Sequence, residues 1–279
     1  MYAAVRRSKR GLLGLGAGLA VFVVLGLVTG LLLGPIMTPT FSSSPVDVAK
    51  IVDLSRFRSC AGHDFSGSFV KTPSSSESDR SMKHYVTLSD TYGGGVEVPV
   101  LALAAGTITK SATIVHNDGS ALGDVGDFNG EVTILVDGDP LLGNWYVRYM
   151  HVHPTRSVGA RVSAGDVIAT VPPTDWAQVT EAADGSKALP AYDPISFDVA
   201  VEYTPLFPTG VRFASYVSML SSQVKAQYEA AGYTDAATMI TRQARDAKPC
   251  NGQYNVDAVA DWVNGDRVRA MADSAAGAA

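Results

Sequence analysis

The chain has 279 residues, with 22 Lys and Arg against 27 Asp and Glu, a formal net charge of −5 at pH 7. Four of the basic residues, Arg6, Arg7, Lys9 and Arg10, fall within the first ten positions, so the remainder is more acidic still. An acidic body argues against nucleic acid and against docking on anionic lipid.

Residues Gly11 to Pro45 carry no charged side chain, and Gly11–Leu33 is built from Gly, Leu, Ala, Val and Phe with a single Thr. Crossing ~30 Å of hydrocarbon takes roughly 20 apolar residues in a helix. The basic cluster before this run keeps that end in the cytoplasm by the positive-inside bias. We therefore read residues 1–10 as a cytoplasmic basic N-terminus and 11–33 as an uncleaved transmembrane signal anchor. Residues 34–46, rich in Ser, Thr and Pro, form a linker. The expected protein is single-pass, with its folded part outside the cytoplasm. The rival is a cleaved signal peptide, whose apolar core runs about 7–15 residues.

The exterior part begins with an extension, 47–95. It contains Cys60, and the second cysteine of the chain, Cys250, lies near the other end. Outside the cytoplasm two lone thiols pair more often than not. Such a bond would fasten the C-terminal segment to the start of the domain, worth roughly 4–5 kcal/mol in the chain-entropy model. The alternative is two buried free thiols.

Residues 96–204 read as β-structure. Val96–Leu103 is rich in strand formers, turns at Ala105-Gly106 and resumes as Thr107-Ile108-Thr109. Glu131–Val136 and Trp145–Met150 form two strands joined through Asp137-Gly138-Asp139-Pro140. Val158–Val171 has two Gly-centred turns between short strands, where Gly supplies backbone angles costly for other residues. The last strand is Ile195–Tyr203. Its alternation puts Ser196, Asp198, Ala200 and Glu202 on one face.

After Gly210 the period changes. Val217, Leu220, Val224, Tyr228 and Ala231 recur at helical steps, and Gly232 follows as a stop. Asp235 caps a second expected helix with Ala236, Met239, Ile240 and Gln243, and 257–270 reads as a third. Residues 205–279 are thus a helical C-terminal extension.

Four segments of Val98–Glu202, a little over one third of the chain, carry a resemblance. Val98–Ile108 has the Pro-Val, Ala and Gly of a starting strand, and Gly130–Ile134 follows a Gly-rich loop. Tyr149-Met150-His151-Val152 is a Tyr-x-His-Leu-like motif, and Val158–Val171 follows Gly-x-x-Val-x-x-Gly-x-x-Ile. In this order they resemble the core of the lysostaphin- and LytM-type zinc peptidoglycan endopeptidases. The resemblance implies a mostly β fold, an antiparallel LytM-like sheet with a duplicated hybrid motif.

It also implies zinc, held by a His-x-x-x-Asp motif and by the second His of His-x-His. Zinc makes hydroxide from a bound water near neutral pH. At the first motif stands Arg80-Ser81-Met82-Lys83-His84-Tyr85, so Arg80 replaces the ligand His and His84 the ligand Asp. The last motif falls on Ile195–Glu202, which has no histidine; Asp198 matches either the first, assisting His of that pair or the second, ligand His. His151 matches the assisting catalytic His. His153 shares a face with His151 if the segment is extended.

A catalytic zinc takes three protein ligands plus water. Carry-over leaves His84 and Asp198, with His151 as a third candidate. The reading adopted is a degenerate member without cofactor. Its cleft of Arg80, His84, His153, Asp198 and Glu202 would bind peptidoglycan, a glycan or an envelope protein. An Arg80 guanidinium paired with Asp198 would fill the space of the metal. An active zinc hydrolase with altered ligands is the alternative, including a rearranged site using His63, His84 and His151. Asp124–Glu131 is rich in calcium-type oxygen donors but lacks the EF-hand order.

Overall fold

The computed structural model describes residues 38–67, 69, 77–88, 97–113, 130–138, 143–171, 180–181, 187–188, 197–206, 210–254 and 259–264. The expected anchor, most of the acidic segment before Glu131 and the C-terminal tail lie outside the described residues. Among the described residues no helix is long and apolar enough to cross a membrane.

Thirteen strands follow one another among the described residues. They are β1 (Ile51–Leu54), β2 (Lys83–Leu88), β3 (Val98–Leu101), β4 (Gly106–Thr113), β5 (Gly130–Val136), β6 (Asn144–Met150) and β7 (His153–Pro154). Then come β8 (Arg161–Val162), β9 (Val167–Val171), β10 (Thr180–Glu181), β11 (Lys187–Ala188), β12 (Phe197–Thr204) and β13 (Arg212–Ala214). The main sheet has the order β1-β2-β12-β6-β5-β4-β8, with β13 also on β12, and every pairing in it is antiparallel. A small sheet, β3-β9-β7, lies apart from it, and β10 and β11 form a hairpin. Both expected Gly-centred turns are present, Gly159 and Gly165 each at φ +87°.

The main sheet separates apolar from polar by strand alternation. Val86, Val199, Val201, Val147, Tyr149, Val132, Ile134 and Ile108 enter one core, shared with Val98, Val100, Ile168 and Val171 of the small sheet. Each fully buried Val, Ile or Leu there contributes roughly 1.5–3 kcal/mol. The other face carries Lys83, Tyr85, Asp198, Glu202, Arg148 and Glu131. The registers Asp198↔Tyr85, Asp198↔Met150 and Glu131↔Met150 set these rows side by side.

Residues 47–95 supply β1 and β2 of the main sheet, so this extension is continuous with the β core. The C-terminal part is less helical than its periodicity predicts. A 3-10 turn, Val217–Met219, leads to a helix Ser222–Ala230 capped by Ser221, and Gly232 follows at φ +91°. The second helix stops after Asp235–Thr238, with Thr234 rather than Asp235 as its cap. Met239 is extended there, and Ile240 N–H donates to Phe57 O at 2.9 Å. Pairing with the N-terminal segment outweighs helical continuation, and Thr241 caps a new helix, Arg242–Ala247. Of 257–270, the described residues 259–264 form a 3-10 turn, Val259–Asp261, followed by Trp262, which bridges to Ser55.

Cys60 and Cys250 are joined in a disulfide, as expected. Arg245 is packed beside it: its guanidinium donates to Arg58 O at 2.7 Å and pairs with Asp261 at 2.6 Å. The segments around Cys60 and Cys250 thereby form one structure.

Candidate functional site

Strand β2 alternates, and one position of register decides the site. Lys83 and Tyr85 point to the polar face of the sheet; His84 between them points to the core. Asp198 pairs with Tyr85, whereas His84 pairs with Val199. His84 and Asp198 therefore lie on opposite faces and cannot share a metal, which corrects the ligand pair expected from the sequence. His84 is instead a satisfied core residue, 1% exposed. Its Nδ1–H donates to Ser55 O at 2.7 Å, which leaves Nε2 to accept from the Ser215 hydroxyl at 2.7 Å. Burial lowers its pKa to about 4, so the ring is neutral.

Arg80 does not reach Asp198 either. It donates to Ser78 O at 2.9 Å and pairs with Glu77 at 3.1 Å and Asp246 at 2.7 Å. The backbone pairing of Ser81 with Ser59 turns Arg80 toward the helix Arg242–Ala247, so it belongs to the ion cluster near the disulfide.

What meets Asp198 is Lys83. The ammonium pairs with Asp198 Oδ2, the two side chains being 1% and 0% exposed. It also lies 3.1 Å from His63 Nε2, 4.7 Å above the Phe65 ring and 4.4 Å above the Tyr85 ring. His63 Nδ1 is 2.8 Å from Asp64 O, an atom that only accepts, so Nδ1 carries the proton and the Nε2 lone pair faces Lys83. Partial burial, and then the Lys83 charge, hold the His63 pKa below its ordinary value. His151 Nε2 approaches the same Asp198 Oδ2 at 3.6 Å from a half-open position. Asp198 Oδ1 is buried without a hydrogen-bond partner among the described residues.

His151 adopts φ +62°, ending β6 and turning the chain toward the small sheet. His151 and His153 are consequently not alternate positions of one extended segment. His153 sits on β7, opposite Thr170. Glu202 is on the Asp198 face as expected, but its Oε2 accepts the Phe69 N–H at 2.9 Å. Next to it Arg148 binds Glu131 through Nε at 2.7 Å, and Lys110 pairs with the other Glu131 oxygen. The Phe65 and Phe69 rings lie over Arg148, their centroids 5.8 and 5.6 Å from its guanidinium carbon, and both pack against Phe213, the first edge-on and the second tilted. The chain's own segment around Ala61–Phe69 thus covers part of the polar face.

Zinc is therefore a poor fit to the residues as arranged. Among the described residues no group of three or more His, Cys, Asp or Glu is disposed to hold a metal ion. His63, Asp198 and His151 lie near one another, but an ammonium fills the space beside His63 and Asp198. Sequence reasoning gave Asp198 and His151 and weighed His63 for a rearranged site, but it did not place Lys83 against Asp198. Period-2 alternation of Lys83-His84-Tyr85-Val86 was the available signal, since it sets Lys83 and His84 on opposite faces.

No family model and no curated protein sequence matches the chain. Among solved structures it is similar to a protein from Ruminococcus gnavus assigned as a glycyl-glycine endopeptidase LytM, at 12% identity and a TM-score of 0.31. That match covers 57% of this chain and 49% of the other, about half its length. The catalytic domain of lysostaphin from Staphylococcus simulans is similar at 15% identity and a TM-score of 0.23, over 43% of this chain and 73% of that one. A zinc-containing peptidase from Vibrio cholerae is similar at 13% identity and a TM-score of 0.33, over 63% and 39%.

Proposed function

We propose that this chain is a membrane-anchored envelope protein whose exterior, peptidase-like β domain binds an envelope ligand without hydrolysing it. The ligand class is peptidoglycan, another glycan or an envelope protein. One observation carries the non-hydrolytic part: the Lys83 ammonium lies where Asp198 and His63 converge. A hydrolytic zinc needs three protein donors and an open position for water. Here the cation is a lysine, which has no such position to offer. The half-open His151 and the rim residue His63 provide the polar groups beside this floor that a ligand can meet. The anchor reading rests on the uncharged run after Arg6, Arg7, Lys9 and Arg10.

The test is to incubate the purified protein with peptidoglycan sacculi and measure both co-sedimentation and turbidity. The expected result is sedimentation with no loss of turbidity, unchanged by a chelator. Turbidity loss that a chelator abolishes would establish the alternative, an active zinc-dependent endopeptidase with altered ligands. Absence of both binding and hydrolysis would remove peptidoglycan from the ligand classes.

A further inference from the structure

We infer that the groove between residues 42–50, strand β3 and the helix Ser222–Ala230 is a headgroup site for an aminophospholipid of the anchoring membrane. The inference rests on the anchor proposed above. None of the residues lining this groove belongs to the Lys83–Asp198 face.

Its position comes from the start of the fold. From Phe41 onward the stretch expected as a linker is built into the domain. Phe41 is fully buried; its N–H donates to Met219 O at 2.8 Å, and its carbonyl accepts the Ser221 N–H at 2.8 Å. The Ser44 and Tyr228 hydroxyls share a hydrogen bond of 2.8 Å, and the Leu101 N–H donates to Pro45 O at 2.8 Å. The expected anchor ends at Leu33, eight residues before Phe41. Eight residues span at most about 29 Å, and the interfacial layer takes up roughly 5–8 Å of that. The groove begins at Ser42, so a tether of this length holds it beside the headgroups. At the effective concentration such a tether creates, weak affinity is enough to fill a site.

The lining supplies the chemistry. The groove has a volume of about 380 Å³. Val46, Val98 and Val224 form its buried apolar part, and Gln223 and Gln227, one helical turn apart, stand exposed on it. It contains one acid and one base, Asp47 and Lys50. Asp47 caps the 3-10 turn Val48–Lys50 and Lys50 ends it, and positions three apart in such a turn fall on one side. A carboxylate and an ammonium on one side match a zwitterion, Lys50 meeting the phosphate and Asp47 the primary ammonium. No aromatic side chain lines the groove among the described residues, which disfavours a quaternary choline, a group held by aromatic faces. A zwitterion also escapes the repulsion that the acidic body exerts on anionic lipid.

The experiment places the full-length protein in nanodiscs of phosphatidylcholine alone and of phosphatidylcholine mixed with phosphatidylethanolamine. Hydrogen exchange locates the contact, and native mass spectrometry identifies the lipid that the protein retains. The expected result is extra protection of residues 42–50 and 222–230 in the mixed discs, with one phosphatidylethanolamine retained per chain. Asp47→Asn/Lys50→Gln, in which Asn still caps the turn, should lower that retention about 10-fold and remove the protection. Its melting temperature in phosphatidylcholine should match the wild type's; where it melts early, Lys50→Gln alone decides by the same retention. Equal protection in both discs, or retention of the two lipids in proportion to their abundance, overturns the inference. So does protection confined to other residues. Protection that soluble O-phosphoethanolamine reproduces without the lipid overturns the lipid assignment. Extraction from membranes by alkaline carbonate removes the anchor and this inference with it. An anchored protein with an indifferent groove sinks the inference alone and leaves the groove to a protein partner.

Discussion

Lys83 and Asp198 pair across the neighbouring strands β2 and β12 with 1% and 0% of their side chains exposed. Such a pair is costly to break from one side, since the surviving charge stays buried; removing one partner typically costs about 3–5 kcal/mol. Replacing both with apolar groups is often neutral. Lys83→Met is therefore expected to lose about 3–5 kcal/mol in metal-free urea unfolding. Lys83→Met/Asp198→Leu should recover most of it. Additive losses in the double variant would show that the two charges do not depend on each other.

His84 makes the fold sensitive to acid. Its folded pKa, about 4, lies below its ordinary 6.5, so on acidification the unfolded chain takes up the proton first. The stabilisation is complete above pH 6.5 and is lost as pH falls toward 4, at up to about 1.4 kcal/mol per pH unit and roughly 3 kcal/mol in all. Urea midpoints between pH 7.5 and 4.5 measure this. His84→Gln cannot titrate, so its stability deficit against the wild type should shrink as pH falls. Parallel curves would rule His84 out as the source.

Much of the β core was legible because its strands alternate or run apolar between glycine turns. Glu131–Val136, Trp145–Met150 and the Gly159 and Gly165 turns all lie where the pattern predicts. Strand β2 was harder to read, since Lys83, His84 and Thr87 look like a solvated segment. All six of its residues are buried because both faces of the sheet are covered there. The site failed by one position: motif spacing chose His84, while sheet register chose Lys83. His63 lies 20 residues upstream of Lys83, and only the fold brings them within 3.1 Å. The helical spacing through Met239 was overridden by long-range pairing with Phe57, which local periodicity does not encode.

Gly62 fixes the approach of the covering segment to the site. It adopts φ +68°, and a Cβ there would stand 1.9 Å from the Tyr85 hydroxyl. Tyr85 is buried, and that hydroxyl accepts the His63 N–H at 3.2 Å, so the ring cannot give way without disturbing His63. The backbone contributes about 1–2 kcal/mol of cost and overpacking about 1–3 kcal/mol more. Gly62→Ala should lose at least about 2 kcal/mol on those figures. Gly67→Ala, where a Cβ meets nothing within 4 Å, should be close to neutral. Equal melting temperatures for the two variants would refute this role for Gly62.

The disulfide holds the same segment from its other side. Cys60 is bonded to Cys250 across a separation of 190 residues and stands three residues before His63. Loss of a native bond of this kind costs about 2–5 kcal/mol. For a domain of this size that lowers the melting temperature by roughly 4–20 °C. The effect should be uneven along the chain. Arg245 still ties Arg58 to Asp261, so the C-terminal segment keeps one attachment without the sulfur bridge. Ala61–Phe69 keeps the Phe65 N–H to Arg80 O bond and the Phe69 N–H to Glu202 bond, yet loses its covalent start. Limited proteolysis of the wild type, with and without reductant, and of Cys60→Ser/Cys250→Ser should therefore show new early cleavage between residues 61 and 69. The main-sheet strands β5, β6 and β12 should stay intact. Cleavage that appears first near residue 250, with 61–69 still protected, would mean that the covering segment is held by its own contacts and not by the disulfide.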